Sequence, residues 1–468
     1  MKKHILYTLL IVSACALITA CSDLSGNTST ASAPPSQIVI PELVQRTAQV
    51  GLPGEYEKTK MQYDQFKNAY KKHPEDLKNI IRLSEIFITE ARITGNYGPN
   101  QAAALSLLDH VLSKTASKSQ GVKDIHGQAL TLKALIKLSQ HQFAEALTLG
   151  EEAVKLDPNK AFNYGVLVDA NVELGNYEKA VVMSDKMVAT RPDLQSYGRV
   201  SYLREIHGDM TGAITAMEMA VKAGYPGSDE TSWCHVQLGG LHERSGDLAT
   251  AAIHYADAIT ERPGYPFALA AAGRVAGKQK NFAQAEADLK QAIATMPDAH
   301  FYMDLARIYK AQGKNVEYDE AVRKAEETLI GLSGEDHDHA DNKEHVHAAH
   351  GHSHEVGLEM ARFELEFHHD LPAALKNAEH EFEHREKNID VNAVMVAILM
   401  EKGEFGGARA HLDMAKATGS KSADLILLEG LLQTKNGNTA EGEKLINAAL
   451  KHDPSNAFLI KENAIAAK

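Results

Sequence analysis

Apolar and small residues recur along this chain at one fixed spacing, with polar residues between them. A turn position is followed two residues later by an aromatic or aliphatic residue, then by alanine, and 17 residues later by proline, as in Gly246, Leu248, Ala251 and Pro263. The turn positions are 141, 175, 208, 246, 280, 313, 369, 403 and 437, and they are mostly 33 or 34 residues apart. A period of that length indicates an array of structural repeats.

Each period predicts a pair of α-helices. Glycine suits a turn with positive φ, alanine lets two helices approach closely, and proline ends the second helix because it lacks an amide hydrogen. A helix pair carries an apolar stripe that it cannot bury alone, so we predict a solenoid in which each pair packs on its neighbours. The positions that define the repeat are Gly175, Ala180, Pro192, Gly208, Gly246, Ala251, Pro263, Ala285, Pro297, Gly403, Gly437 and Pro454.

These positions resemble the tetratricopeptide repeat (TPR) family over roughly residues 56–455. The large residue that the family usually has near the start of the first helix is mostly missing. The resemblance implies an all-α fold of about ten antiparallel helix pairs, wound into a right-handed superhelix with a concave groove. It also implies that the groove binds peptides or protein partners and that the chain has no catalysis of its own.

The period is interrupted once, between positions 313 and 369, by about 22 extra residues. We therefore predict an N-terminal part of the array at 56–330, an insertion at 331–354 and a C-terminal part at 355–468. The last segment, 456–468, is predicted to be a capping helix.

The first 20 residues predict an export signal, because a short basic start precedes an apolar stretch that is too short to span a membrane. The signal ends in Leu-Ile-Thr-Ala-Cys21, which resembles a bacterial lipobox and implies cleavage before Cys21 and lipidation of that residue. The alternative is ordinary cleavage near Ala20 that leaves Cys21 unmodified. Ser22 favours the outer membrane over the inner membrane if the source is Gram-negative. Residues 21–55, rich in Ser, Thr, Ala and Pro at their start, are predicted to be a flexible tether.

Composition narrows the choice of partners. The formal net charge of −13 argues against nucleic acid and against an anionic lipid surface. Only Cys234 is left once the signal and Cys21 are set aside, so the mature chain has no disulfide framework, and a thiol on a predicted helix is expected to be buried and inert.

The insertion is rich in histidine. It contains seven of the 23 histidines of the chain: His337, His339, His345, His347, His350, His352 and His354. Imidazole is a ligand for Zn, Cu and Ni, so these residues are candidates for binding a divalent metal. The alternative is a solvated loop whose histidines bind metal only incidentally.

Residues 380–384 read His-Glu-Phe-Glu-His and match the H-E-x-x-H motif of zinc proteases. His380 and His384 would share one helix face and are further candidate metal ligands. The longer form of the motif is absent, since Lys387 and Asp390 stand where glycine and histidine are needed. The segment is already explained as the second helix of a repeat, so we do not expect proteolysis.

The sequence therefore predicts a membrane-anchored TPR scaffold that mediates protein–protein interactions in the bacterial cell envelope, at the outer membrane and facing the periplasm. No cofactor is required in this interpretation. The alternative is a lipoprotein that buffers or delivers Zn, Cu or Ni through the histidine-rich insertion.

Overall fold

The computed structural model describes residues 38–46, 50–117, 119, 121–333 and 356–452. Within these ranges the chain forms 21 α-helices and no β-strand. The helices are α1 Glu55–Lys72, α2 Lys78–Thr94, α3 Tyr97–Lys114, α4 Lys123–Ser139, α5 Phe143–Leu156, α6 Ala161–Glu173, α7 Tyr177–Thr190, α8 Leu194–Ile206, α9 Met210–Ala223, α10 Asp229–Arg244, α11 Leu248–Glu261, α12 Pro266–Lys278, α13 Phe282–Thr295, α14 Ala299–Gln312, α15 Asn315–Ser333, α16 Gly357–Phe363, α17 Leu371–His384, α18 Ile389–Lys402, α19 Phe405–Ala415, α20 Ala423–Lys435 and α21 Thr439–His452.

The helices pack in consecutive pairs. After α1, the described residues contain ten pairs, which we number from pair 1 (α2 and α3) to pair 10 (α20 and α21), and each pair also packs on the next. The predicted all-α solenoid of about ten helix pairs is confirmed. The predicted capping helix at 456–468 and Pro454 lie outside the described residues.

All nine predicted turn positions have positive φ, although three of them are not glycine. His141 has a φ of 54°, Lys280 of 61° and His369 of 55°. At Gly175 the turn is closed by two backbone hydrogen bonds, from its own N–H to the carbonyl of Val172 and from the N–H of the next residue to the carbonyl of Asn171. This is the Schellman arrangement, which satisfies carbonyl groups at the end of the first helix.

Pair 8 departs from the others in its first helix. Beyond α16 the chain continues as a π-helical turn from Glu364 to His368, and the N–H of Asp370 reaches back to the carbonyl of Glu364 at 3.1 Å. A π-turn accommodates one extra residue in a helix without breaking it. The turn at His369 therefore keeps its left-handed conformation despite the local change.

The small residues of the repeat lie where the two helices of a pair meet. Ala180, Ala251 and Ala285 are fully buried. In pair 5, a Cβ added at Gly239 would lie only 2.4 Å from the ring of Tyr255, which is itself fully buried. The core of the solenoid is therefore a row of close helix–helix contacts rather than one central cluster.

Part of the segment predicted to be a tether is packed on the array. Within the predicted range 21–55, Ile40 and Arg46 are buried, and the guanidinium of Arg46 binds the carboxylates of Glu90 and Glu55. The hydroxyl of Tyr63 donates a hydrogen bond to the carbonyl of Pro41 at 2.5 Å. Residues 41–46 thus contact α1 and α2 through the carbonyl of Pro41 and the side chain of Arg46.

Three turns of the array also contact loops that lie five helix pairs further along the chain. The turn of pair 1 at Gly95 lies against Met296, in the loop after pair 6. The turn of pair 3 at Gly175 lies against Lys387, in the loop after pair 8, and the turn of pair 4 at Gly208 lies against Gly419, in the loop after pair 9. In each case the turn of one pair meets the loop that follows the pair five places further on.

None of the helices in the described part of the chain combines the length and the apolar character that a membrane crossing requires.

Candidate functional site

The first helices of the pairs form one side of the solenoid. In most neighbouring pairs the first helix packs directly on the next first helix, as α2 does on α4 and α10 does on α12, whereas no two consecutive second helices pack to a similar extent within the described residues. Helices that approach more closely lie on the inner side of a curved array. The first helices therefore present the inner face.

Three groups of ion pairs, here together called the charge ladder, join neighbouring first helices on this side. They are Asp169 with Arg199, Glu205 with Arg244, and the series Glu243, Arg274, Asp304, Arg307 and Glu366. The guanidinium of Arg199 on α8 binds Asp169 on α6 through two hydrogen bonds, of 2.8 and 2.6 Å. The guanidinium of Arg307 on α14 binds Glu366, in the π-turn of pair 8, at 2.7 and 2.6 Å. Such two-point contacts fix the rotation of one helix against the next.

Glu243 on α10 is the most buried acidic member of the ladder. Its carboxylate binds Arg274 through two contacts of 2.9 Å and Lys278 at 3.0 Å, and it accepts a hydrogen bond of 2.8 Å from the hydroxyl of Tyr255. Burial alone would raise the pKa of Glu243, but the two cations outweigh it and lower the pKa to about 2. The carboxylate is thus ionised throughout the physiological range and joins pairs 5 and 6.

A cavity of about 330 Å³ opens where the array contacts itself near pair 2. It is lined by the turn of pair 2 with His141 and Phe143, by Asp169 and Glu173 of α6, and by α16 and the loop after pair 8. Arg385 closes one wall, because its guanidinium lies 5.1 Å from the centre of the Phe143 ring and donates a hydrogen bond of 2.6 Å to Glu173.

Two polar atoms at this cavity have no hydrogen-bond partner among the described residues: Nδ1 of His141 and Oε2 of Glu359. Burial lowers the pKa of His141, so its imidazole is neutral at pH 7. Burial, with Asp390 and Glu359 nearby, raises the pKa of Glu173 to about 7 although Arg385 acts in the opposite direction. Unpartnered buried atoms are costly, and a ligand that supplies a donor to Glu359 would remove part of that cost.

The two histidines of the H-E-x-x-H segment share one face of α17, as predicted from their spacing. Their ring centres are 4.7 Å apart, and Nδ1 of His384 donates a hydrogen bond to the carbonyl of His380. Glu381 between them is buried and accepts a hydrogen bond of 2.8 Å from Arg385. The carboxylate that would act as the base of a protease is therefore held in a structural ion pair.

The other candidate residues of the sequence analysis are distributed as follows. Cys21 and the seven histidines of the insertion lie outside the described residues, so lipidation and metal binding there stay predictions. Neither His380 nor His384 belongs to a group of three potential metal ligands in the described part of the chain. Cys234 is buried, as expected, and burial raises the pKa of its thiol to about 12, which makes it unreactive.

The charge ladder was missed by the sequence analysis, although a signal for it exists. Asp169, Arg274 and Arg307 each stand six residues before a turn position, at 175, 280 and 313. Charged residues that recur at one position of a repeat occupy one face of the array. Reading the polar positions in the register of the turns would have placed all three on the inner face.

A comparison with known protein families gives a match in the middle of the array. A model of the tetratricopeptide repeat family matches residues 270–336, which cover most of pairs 6 and 7. The match supports the predicted TPR resemblance over this stretch of the array.

Several solved structures are similar. PilF of Pseudomonas aeruginosa is 14% identical over 44% of this chain and 92% of that chain, with a TM-score of 0.37. PilW, described as a type IV pilus biogenesis factor, is 16% identical over 45% and 95%, with a TM-score of 0.38. Human IFIT1 is 15% identical over 82% and 88%, with a TM-score of 0.40. No curated protein sequence matches the chain.

Proposed function

We propose that this protein is a lipid-anchored TPR scaffold of the bacterial cell envelope, which holds a polypeptide partner along its inner face. The observation that carries the proposal is the inner face formed by the first helices, with its charge ladder and an adjoining cavity. Ion pairs fixed between neighbouring helices keep this face in one geometry, so a partner meets a surface that is already ordered.

The cavity near pair 2 is the proposed anchoring point for the partner. Its wall carries the unpartnered oxygen of Glu359 beside Asp169, Glu173 and Asp390, so acidic groups outnumber Arg362 and Arg385. A lysine or arginine side chain of the partner would supply the missing donor. The volume of about 330 Å³ has room for one such side chain.

The inner face is tested by crosslinking in living cells. Tyr202 lies on α8, three residues from both Arg199 and Glu205, and it is exposed. A photoreactive amino acid at position 202 is expected to capture a discrete partner. The matched control is position 182, because Val182 is similarly exposed but lies on the second helix α7. Equal capture at both positions, or none at either, would contradict binding along the inner face.

The membrane part of the proposal is tested separately. Full-length protein produced in a Gram-negative host is expected to incorporate a labelled fatty acid and to fractionate with the outer membrane. Cys21→Ser should abolish both, because the acyl chains are attached at that thiol. Ser22→Asp should move the labelled protein to the inner membrane. Label that persists in Cys21→Ser would refute the anchor while leaving the scaffold proposal intact.

A further inference from the structure

Pair 5 brings three histidines and several carboxylates together between α10 and α11. The rings of His235 and His254 have their centres 6.1 Å apart, and the ring of His242 stacks on His254 with a centre distance of 5.4 Å. Asp257 stands one turn after His254, with its Oδ2 4.0 Å from the Nδ1 of that histidine. Glu261 lies 3.8 Å from the Nε2 of His235.

Two of these imidazoles lack a hydrogen bond that a buried histidine normally makes. Nδ1 of His235 and Nδ1 of His254 are both buried, and neither has a hydrogen-bond partner among the described residues. The side chain of His235 is nine-tenths buried, at 8% exposure for the residue. Leaving two such nitrogens without a partner destabilises the protein unless something else occupies the space between them.

The arrangement has the composition of a metal site. His235, His254 and Asp257 each offer one ligand atom, and these three atoms lie within 4.8 Å of one another. Two imidazoles and one carboxylate form a donor set that suits zinc and its neighbours in the first transition row. We propose that His235, His254 and Asp257 bind one divalent transition-metal ion of the zinc class, which clamps α10 to α11.

The ligand atoms must move slightly to close on an ion. Ligands at about 2.0–2.1 Å from a tetrahedral zinc are roughly 3.3 Å apart, so no pair of ligand atoms needs to approach by more than about 1.5 Å. Asp257 can make this movement, since its side chain is half exposed at the surface of α11. Water, or His242 after a ring rotation, completes the coordination.

The metal site would give pair 5 a contact that the other helix pairs do not need. Each pair is held together by its own apolar contacts, and in pair 5 the same two helices would also be cross-linked through an ion. Binding to the folded state alone stabilises that state in proportion to the logarithm of metal concentration. Pair 5 would then be the part of the array whose stability responds to metal supply.

The test uses the full-length protein in detergent, with the seven histidines of the insertion replaced by glutamine so that they do not compete. Zn²⁺ is titrated in the presence of a chromophoric chelator, and Co²⁺ is used in parallel because its visible absorption reports tetrahedral coordination. The variants are His254→Gln and Asp257→Asn. The control is His73→Gln, since His73 also lies beside a carboxylate, that of Glu75, but belongs to no group of three potential ligands among the residues that the structure describes.

We expect one equivalent of Zn²⁺ whose affinity falls at least about tenfold in His254→Gln and in Asp257→Asn, as losing even an outer partner of a ligand has that effect. His73→Gln should bind as the parent does. Asp257→Asn keeps the proposal testable even if His254→Gln folds poorly, because Asp257 is at the surface. Zinc bound with unchanged affinity and stoichiometry in both variants, or no zinc bound by the parent, would overturn the proposal. Failure here leaves the scaffold function untouched.

Discussion

The contact between the turn of pair 3 and the loop after pair 8 makes a sharp prediction. Gly175 has a φ of 72°, and a Cβ at this position would lie 2.5 Å from the backbone carbonyl carbon of Lys387. Gly403 has a φ of 79°, but nothing lies within 4 Å of the place where its Cβ would be. Alanine at either position carries the strain of a left-handed conformation, about 1–2 kcal/mol. Only Gly175→Ala also pushes the two parts of the array apart.

The free-energy cost of separating these two parts of the array follows from three hydrogen bonds between them. Arg385 donates to the carboxylate of Glu173 at 2.6 Å, Asn388 donates to the carbonyl of Glu173 at 3.0 Å, and the N–H of Ile389 donates to the hydroxyl of Tyr177 at 2.8 Å. A neutral hydrogen bond contributes about 1 kcal/mol net and a charged one about 1.5–3 kcal/mol. Losing most of these contacts therefore costs about 3 kcal/mol beyond the strain.

Hydrogen exchange measured by mass spectrometry reports this loss locally. A change of about 3 kcal/mol in the opening free energy raises the exchange rate roughly 100-fold. We expect that acceleration for a peptide covering residues 385–392 in Gly175→Ala and not in Gly403→Ala, whose effect should stay around its own turn. Equal exchange of residues 385–392 in the two variants would refute the reasoning.

Three further predictions concern carboxylates. Glu243→Gln removes the shared partner of Arg274 and Lys278, and urea denaturation should show that the free energy of unfolding falls by about 3–5 kcal/mol. Glu286→Gln is the control: it releases Lys290 and Lys314, which are more exposed, and should lower the free energy of unfolding by about 1 kcal/mol or less. Equal losses in the two variants would contradict the role of burial. Because the pKa of Glu173 is raised to about 7, its contribution to the stability of the folded state is present in acid and is lost as pH rises through neutrality. The melting temperature of Glu173→Gln minus that of the parent should therefore increase from about pH 5 to about pH 8. A difference that stays constant with pH would count against the raised pKa. Glu381→Gln should lower the midpoint of unfolding because Arg385 loses a hydrogen-bond partner. Casein hydrolysis in the presence of Zn²⁺ should stay at the level of buffer for the parent and for the variant. Zinc-dependent hydrolysis by the parent that is lost in the variant would restore the protease interpretation.

Local structure was predictable from the sequence because it depends on residues close together in the chain. The spacing of turn positions identified the left-handed residues even at His141, Lys280 and His369, where no glycine stands. Position within the period was thus a better guide than residue type. The same periodicity predicted the number of pairs.

Contacts between distant parts of the chain were not predictable in this way. Nothing in a 34-residue period says that the turn at Gly175 meets the loop at Lys387, since that depends on small rotations added over five pairs. The histidine cluster of pair 5 was missed for a related reason. His235 and His254 lie on different helices, and only the packing of α10 on α11 brings them together. The histidine-rich insertion is conspicuous in composition, whereas this cluster is visible only in three dimensions.

The constant interval between contacting pairs also sets an order of events during synthesis. Tyr177 and its partner Ile389 are 212 residues apart. A ribosome adds about 5–20 residues per second, so the surface of pair 3 waits roughly 10–40 s before its partner exists. Wherever the chain folds as it emerges from its N-terminus, pairs 1, 3 and 4 therefore fold on neighbouring contacts alone, with their turns still uncovered. Chaperones and proteases at that place would meet an assembly intermediate that lasts until the loops five pairs further on have emerged.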